Sequence, residues 1–203
     1  MSRWTPYYEA NADRAPRAML LDVLDAFEPL RGEAVDVGCG QGTDTLALLE
    51  RGWSVLAIDA EAEAIERVRA RVPAELEPRL RTRVSPMEEI AFPDVDLVWA
   101  SFSLFFCRPD AFADVWARIR DAIRPGGRFA GQLLGERDTW APQDDISAFS
   151  MQDARALFDG LDLERFDEEE NDGEACSGPK HWHVFHAVAR RRDADGALLA
   201  SRA

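Results

Sequence analysis

The stretch AVDVGCGQGTD, Ala34 to Asp44, places Gly38, Gly40 and Gly42 within five residues, directly behind a short apolar run. Missing side chains let a backbone turn sharply and approach a ligand, and a helix beginning just behind the turn presents unpaired amides. Three ligand classes use such a loop. A phosphate-cradling loop of the G-x-x-x-x-G-K-[ST] type needs a lysine, and none lies near Gly42. The dinucleotide fingerprint G-x-G-x-x-G finds its first two positions at Gly38 and Gly40, but its third falls on Thr43. The third glycine is instead Gly42, and Asp36 stands two residues before the first. An acidic group there suits a ligand with a cationic head better than a pyrophosphate.

Outward from the loop, apolar periodicity reads as alternating strands and helices. Pro16 to Leu30 carries Met19, Leu20, Val23, Leu24 and Phe27 at helical spacing, behind a proline suited to a first turn. Ala34 to Val37 reads as a buried strand and Thr43 to Arg51 as a helix closed by Gly52. Trp53 to Ile58 is a second strand ending at Asp59, followed by a helix through Ile65, Val68 and Val72. Leu80 to Val84 and Val95 to Ala100 read as further strands. Ala111 to Ile123 reads as a helix, stopped by the turn Pro125, Gly126, Gly127 before the strand Arg128 to Leu134. This alternation predicts an α/β, doubly wound, mostly parallel sheet with helices on both faces.

The last third changes character. A short helix near Met151 to Phe158 precedes Leu161 to Phe166 and then His181 to Ala189, with no helix between the two strands. The acidic, glycine-containing run Asp167 to Gly178 reads as the connection of a long antiparallel hairpin at the sheet edge. The division expected is residues 1–30 as an N-terminal helix and lid region, 31–190 as a single core domain, and 191–203 as a flexible tail.

Composition narrows the partners. The chain of 203 residues carries 38 Asp and Glu against 24 Lys and Arg, a formal charge of −14. Such a surface repels phosphates, so neither nucleic acid nor an anionic membrane is expected as the main partner, and a small molecule is. Cys39, Cys107 and Cys176 are odd in number and match no metal-ligand spacing, which favours reduced thiols and a cytoplasmic setting. The start of the chain lacks the pattern of a secretory signal, and no apolar run reaches the ~20 residues of a membrane span. A monomer or homodimer is expected.

DVGCGQG, Asp36 to Gly42, with the apolar strand before it, resembles motif I of the class I S-adenosylmethionine (SAM) dependent methyltransferases. Downstream features follow in the family's order: Asp59, 19 residues after Gly40; Ser85 to Glu88 after the third strand; Asp96 to Phe106 (DLVWASFSLFF); and the turn Arg124 to Phe129 (RPGGRF). The acidic hairpin and KHWHVFHAVAR resemble small bacterial members grouped loosely with tellurite-resistance and type 11 proteins. The resemblance implies a seven-stranded sheet of order 3-2-1-4-5-7-6 with an antiparallel C-terminal strand, and SAM as cofactor. It places cofactor contacts at Arg14, Asp36, Gly38, Cys39, Gly40, Gly42, Thr43, Asp59, Ala60, Met87, Glu88 and Ser101. Asp59 accepts both ribose hydroxyls, the loop at Met87 and Glu88 clamps adenine, and Arg14 pairs with the SAM carboxylate.

Around the acceptor the same reading places Tyr7, Tyr8, Phe105 and Trp140, with Tyr8 facing the methyl group and His181 as a candidate general base. His181 and His183 share one strand face and Trp182 the other, because side chains alternate. H-x-H spacing invites a metal, but no third ligand is legible on that face, so none is expected. The function expected is methyl transfer to a small-molecule acceptor. Two rivals stand beside it: a nicotinamide-dependent oxidoreductase, which Thr43 contradicts, and a SAM sensor or scaffold that transfers nothing.

Overall fold

The computed structural model describes residues 2–27 and 31–192. Helices α1 (Thr5–Ala10) and α2 (Ala18–Asp25) precede strand β1 (Glu33–Val37); α3 (Thr43–Glu50), β2 (Ser54–Asp59), α4 (Ala62–Arg71) and β3 (Leu80–Val84) follow. Then come β4 (Val95–Ala100), α5 (Pro109–Ala122), β5 (Ile123–Gly135), the two-residue β6 (Ala148–Phe149), α6 (Met151–Ala156), β7 (Asp162–Ala175) and β8 (Gly178–Arg190).

The strands form one sheet in the order β3-β2-β1-β4-β5-β8-β7, with β6 paired to β5. Pairing is parallel from β3 through β5, and β8 runs antiparallel to both β5 and β7. Apart from the short β6, which the sequence does not signal, this is the expected order. Alternate residues of each central strand serve opposite faces. Met19, Leu20, Leu48 and Val68 pack with Ala34, Val55, Leu97 and Trp99 on one side, while Phe112, Trp116, Ile119 and Phe158 pack with Val35, Val98 and Phe129 on the other.

Four expectations need correction. The N-terminal region holds two helices, because Pro16 disfavours helical backbone at the residue before it and α2 begins at Ala18. The end of the expected helix, Glu28 to Leu30, lies outside the described residues. Pro125, Gly126 and Gly127 do not separate helix from strand: β4 pairs Val95 with Ile123 and next Leu97 with Arg128, so the turn bulges out of a strand that has already begun. The acidic run is strand rather than connection, since β7 and β8 pair down to Ala175 and Gly178. Its carboxylates meet basic side chains there: Asp172 lies opposite His181, Glu170 opposite His183, and Arg137 bonds Glu168 and Glu170. Finally, Arg191 begins no free tail; its backbone pairs with Gly126 and Gly127 and its guanidinium donates to the carbonyls of Asp121 and Ile123. The rest of the expected tail, from residue 193, lies outside the described residues.

The hairpin outruns its neighbour. Leu134 and Val184 are the last pair between β5 and β8, so residues 178–183 project past the edge where the parallel strands end. Open α/β sheets bind ligands at that edge.

Candidate active site

At that edge β1 delivers the glycine loop. Gly38, Gly40 and Gly42 have φ of +68°, +54° and +83°. Their surroundings differ. A Cβ on Gly38 would collide with Ser103, and one on Gly42 would lie 2.8 Å from Val68 Cγ2, so packing alone requires glycine at both positions. At Gly40 the nearest atom is Tyr8 Cε1, 3.8 Å away, which leaves the backbone open to close approach.

Asp59 ties the loop to β2. One carboxylate oxygen accepts from the Gly40 N–H (2.9 Å) and the other from the Glu61 N–H (2.9 Å). Each oxygen retains acceptor capacity beyond these bonds. Burial, opposed by those backbone bonds, raises the pKa of Asp59 above the ordinary carboxylate value. Ser85, after β3, donates its N–H to the Asp59 carbonyl (2.8 Å), which brings the Met87–Glu89 turn to the same edge. Within that turn Met87 packs against the core and Glu88 accepts from the Arg108 N–H (3.2 Å).

Asp36 is 2% exposed beneath the loop and accepts from Thr45 Oγ1 (2.6 Å). Burial, reinforced by the charge of Asp44, pushes its pKa up to about 7. Cys39 donates its N–H to the Ile58 carbonyl (3.0 Å), and burial holds its thiol well above the usual value. Thr43 Oγ1 accepts from Arg71 (3.3 Å). Ala60 and Ser101 sit at the ends of β2 and β4.

The N-terminal segment covers this loop. Tyr8 is 2% exposed over Gly40, Gln41 donates to the Asn11 carbonyl, and Thr5 Oγ1 donates to Glu63 at 2.6 Å. Arg14 donates to Asp44 Oδ1 (3.2 Å), in the first turn of α3. Asp44 also accepts from the Arg17 N–H (3.1 Å) and the Trp99 indole (3.2 Å). The sequence singles out neither Asp44 nor its joining role.

Beside the covered loop stands an aromatic wall. Phe105 packs on Phe106 (4.6 Å between centroids) and Trp140 (6.3 Å), Trp140 on Trp182 (5.5 Å), and Phe102 on Trp182 (6.1 Å). Trp4 closes on Phe106 at 5.0 Å and on Tyr7 at 6.0 Å, so Tyr7, Phe105 and Trp140 belong to one assembly. Behind it, Lys180 and Asp138 form a fully buried ion pair, with Lys180 Nζ 3.7 Å from the Trp182 ring centre. The pairing crosses 42 residues and carries no local sequence signal.

His181 does not join this assembly through any hydrogen bond. Its ring nitrogens face Asp172 (2.7 Å) and Glu170 (3.2 Å), and those acceptors raise its pKa. As a partly exposed imidazole engaged by two carboxylates, it is a poor general base at this position. A third metal-ligand atom does exist on the His183 face, contributed by the neighbouring strand: Glu168, Glu170 and His183 lie within 4.8 Å of one another. Arg137 already bonds both carboxylates, at 2.7 and 2.6 Å, which supplies the positive charge there.

Residues 34–127 match the methyltransferase domain family. The ribosomal RNA small subunit methyltransferase H of Chelativorans sp. (strain BNC1) is 44% identical over 90 residues, 41% of this chain and 26% of that protein. The magnesium-protoporphyrin O-methyltransferase of Rhodobacter capsulatus is 35% identical over 96 residues, 46% of this chain and 42% of that protein. The chain thus spans less than half the length of these curated relatives. TehB from Haemophilus influenzae superposes with a TM-score of 0.76 at 14% identity, over 92% of this chain and 66% of that one, a likeness of fold. The glycine loop on β1 thus lies within the span that matches a methyltransferase domain, and the strand order with its reversed C-terminal strand belongs to a fold shared with TehB.

Proposed function

We propose that the protein transfers a methyl group from SAM to a small-molecule acceptor by in-line displacement. The observation that carries this reading is the open backbone at Gly40, bridged to Asp59 and lidded by Tyr8, directly beside an aromatic wall. When bound, the cofactor supplies a methyl carbon made electrophilic by its sulfonium. The chain's own work is then to bind, align and exclude water. Gly38, Cys39, Gly40, Gly42 and Thr43 present backbone to the cofactor, with Asp36 beneath them. Asp59, beside Ala60, takes the ribose hydroxyls. Met87 and Glu88 flank the adenine, Ser101 lies across from it, and Arg14 exchanges Asp44 for the cofactor's carboxylate. The segment around α1, with Tyr8, acts as the lid, and Tyr7, Phe105 and Trp140 shape the acceptor chamber.

Holding the nucleophile near the methyl group in a closed chamber is worth on the order of 7 kcal/mol in well-oriented cases. A base is needed only for an acceptor that arrives protonated. The charge of −14 and the enclosure by the N-terminal segment favour a small acceptor over nucleic acid. Among the described residues no helix is long and apolar enough to cross a membrane. Three free thiols fit a cytoplasmic setting.

Calorimetric titration with S-adenosylhomocysteine tests the reading. Micromolar binding is expected for the wild type, weakened by ~1.5 to 3 kcal/mol in Asp59→Ala through loss of charge-assisted bonds. Melting of both unliganded proteins separates lost ribose contacts from a loosened loop. No binding of S-adenosylhomocysteine would sink the proposal. Binding without demethylated cofactor accumulating on any acceptor, small molecule or RNA, would favour a sensor.

A further inference from the structure

One cation beside the aromatic wall keeps part of its hydrogen-bonding capacity unused. Arg17, at the end of the N-terminal segment, lays its guanidinium 4.5 Å from the centre of the Phe102 ring. Its Nε is the one buried side-chain nitrogen or oxygen, among the described residues, that lacks a hydrogen-bond partner. The nearby acids are committed elsewhere. Asp44 gives its oxygens to Arg14, to the Arg17 backbone and to Trp99, and Glu169 bonds His186 at 2.8 Å. Burial lowers the pKa of the guanidinium and the Arg14 charge acts in the same direction, against Tyr7, which bonds it, and the charge of Asp44. A half-buried guanidinium with one buried N–H left unsatisfied retains capacity to meet an anion.

The floor beneath Arg17 is itself under strain. Phe102 has φ of +51°, the only non-glycine residue with positive φ among those described, immediately after β4. Such backbone persists where its surroundings enforce it and clusters at ligand sites. Here Gln132, 2% exposed, enforces it by accepting the Phe102 N–H at 3.0 Å. The Gln132 amide nitrogen therefore faces His186 Nδ1 (3.3 Å), which must accept, leaving Nε2–H to donate to Glu169. His186 lies edge-on to Phe102 at 6.2 Å, with Trp182 edge-on at 6.1 Å.

We propose that Arg17 is the anion-recognising residue of the acceptor site, pairing with the carboxylate of an acceptor whose flat apolar body rests against Phe102 and Trp182. The inference rests on the methyl-transfer reading above and narrows its acceptor to an aromatic or unsaturated carboxylic acid. Two arginines so close need not share a ligand. The Arg14 guanidinium bonds Asp44 in the first turn of α3, behind the glycine loop, whereas Arg17 stacks on Phe102 past the end of β4. A guanidinium fork matches a carboxylate in two parallel bonds, and its neighbour Phe102 supplies a surface for the carbon skeleton.

The test uses the full chain saturated with S-adenosylhomocysteine, titrated with benzoate, phenylacetate and cinnamate and with the corresponding amides, read by calorimetry. At least one carboxylate is expected to bind about tenfold tighter than its amide. Arg17→Gln should erase that preference, Arg17→Lys should retain part of it, and both should bind S-adenosylhomocysteine within about threefold of wild type. Equal binding of carboxylate and amide, or binding of neither, overturns the inference while the cofactor reading stands. So does a large loss of S-adenosylhomocysteine affinity in both variants, which would assign Arg17 to the cofactor. A wild type that binds no S-adenosylhomocysteine overturns the underlying reading instead.

Discussion

Asp36 carries a measurable penalty for being buried beneath the glycine loop. Its pKa rises from 3.8 to about 7, with burial as the main cause and the charge of Asp44 second, against the favourable bond from Thr45. The sign follows from proton binding. Between these two values the folded chain holds the proton that the unfolded chain has released, so stability falls as pH rises through that window. Below it Asp36 costs nothing; above pH 7 the full cost is present. That rise corresponds to about 4 kcal/mol, and roughly half of it develops between pH 5 and pH 8. Asp36 is 2% exposed, so solvent screening removes little of this. Asp36→Asn keeps an oxygen for the Thr45 hydroxyl and never ionises. Urea unfolding of both proteins from pH 5 to pH 8 should show the variant gaining on the wild type with rising pH, by about 2 kcal/mol or more. A difference that stays flat across that range refutes the reasoning, and would mean that Asp36 is as well solvated or paired in the folded chain as in the unfolded one.

Two further perturbations separate packing from function. Lys180→Met leaves Asp138 charged and buried with only the backbone N–H groups of Trp140 (2.9 Å) and His183 (3.1 Å), at an expected cost of about 3–5 kcal/mol; adding Asp138→Asn should recover most of it. A loss under about 1 kcal/mol in urea unfolding of the single variant would show that the pair is not a structural tie. Gly42→Ala should destabilise by ~1–3 kcal/mol, because its Cβ meets Val68 at 2.8 Å with φ at +83°, whereas Gly40→Ala should melt closer to wild type yet bind S-adenosylhomocysteine more weakly. Identical behaviour of the two variants in melting and calorimetry would contradict the different surroundings of the two glycines.

The strand–glycine–helix unit and the alternation after it were legible because helices and strands of an α/β domain are written in local apolar periodicity. Val35, Val98 and Ile119 are buried as their spacing predicts. Extents were less legible where pairing overrides local composition. The acidic residues of β7 read as a connection, since nothing local reveals that Arg137 and the histidines of β8 lie across from them. Likewise, RPGG reads as a boundary because only the β4 register shows that Ile123 already belongs to the sheet.

The candidate site divides along the same line. Asp36, the three glycines and Asp59 are placed by short-range geometry, at the ends of adjacent parallel strands, so the sequence by itself determined the fold class and pointed to the proposed methyl donor. What lies opposite the loop is a matter of long-range packing. That Arg17 meets Phe102, that Gln132 holds Phe102 at positive φ, that Lys180 finds Asp138, and that His181 turns to β7 are contacts between residues 9 to 85 positions apart. Only the tertiary structure decided them, because side-chain partners across a sheet edge depend on strand register and on where an N-terminal segment folds back. The acceptor therefore has to be read from space rather than from order along the chain.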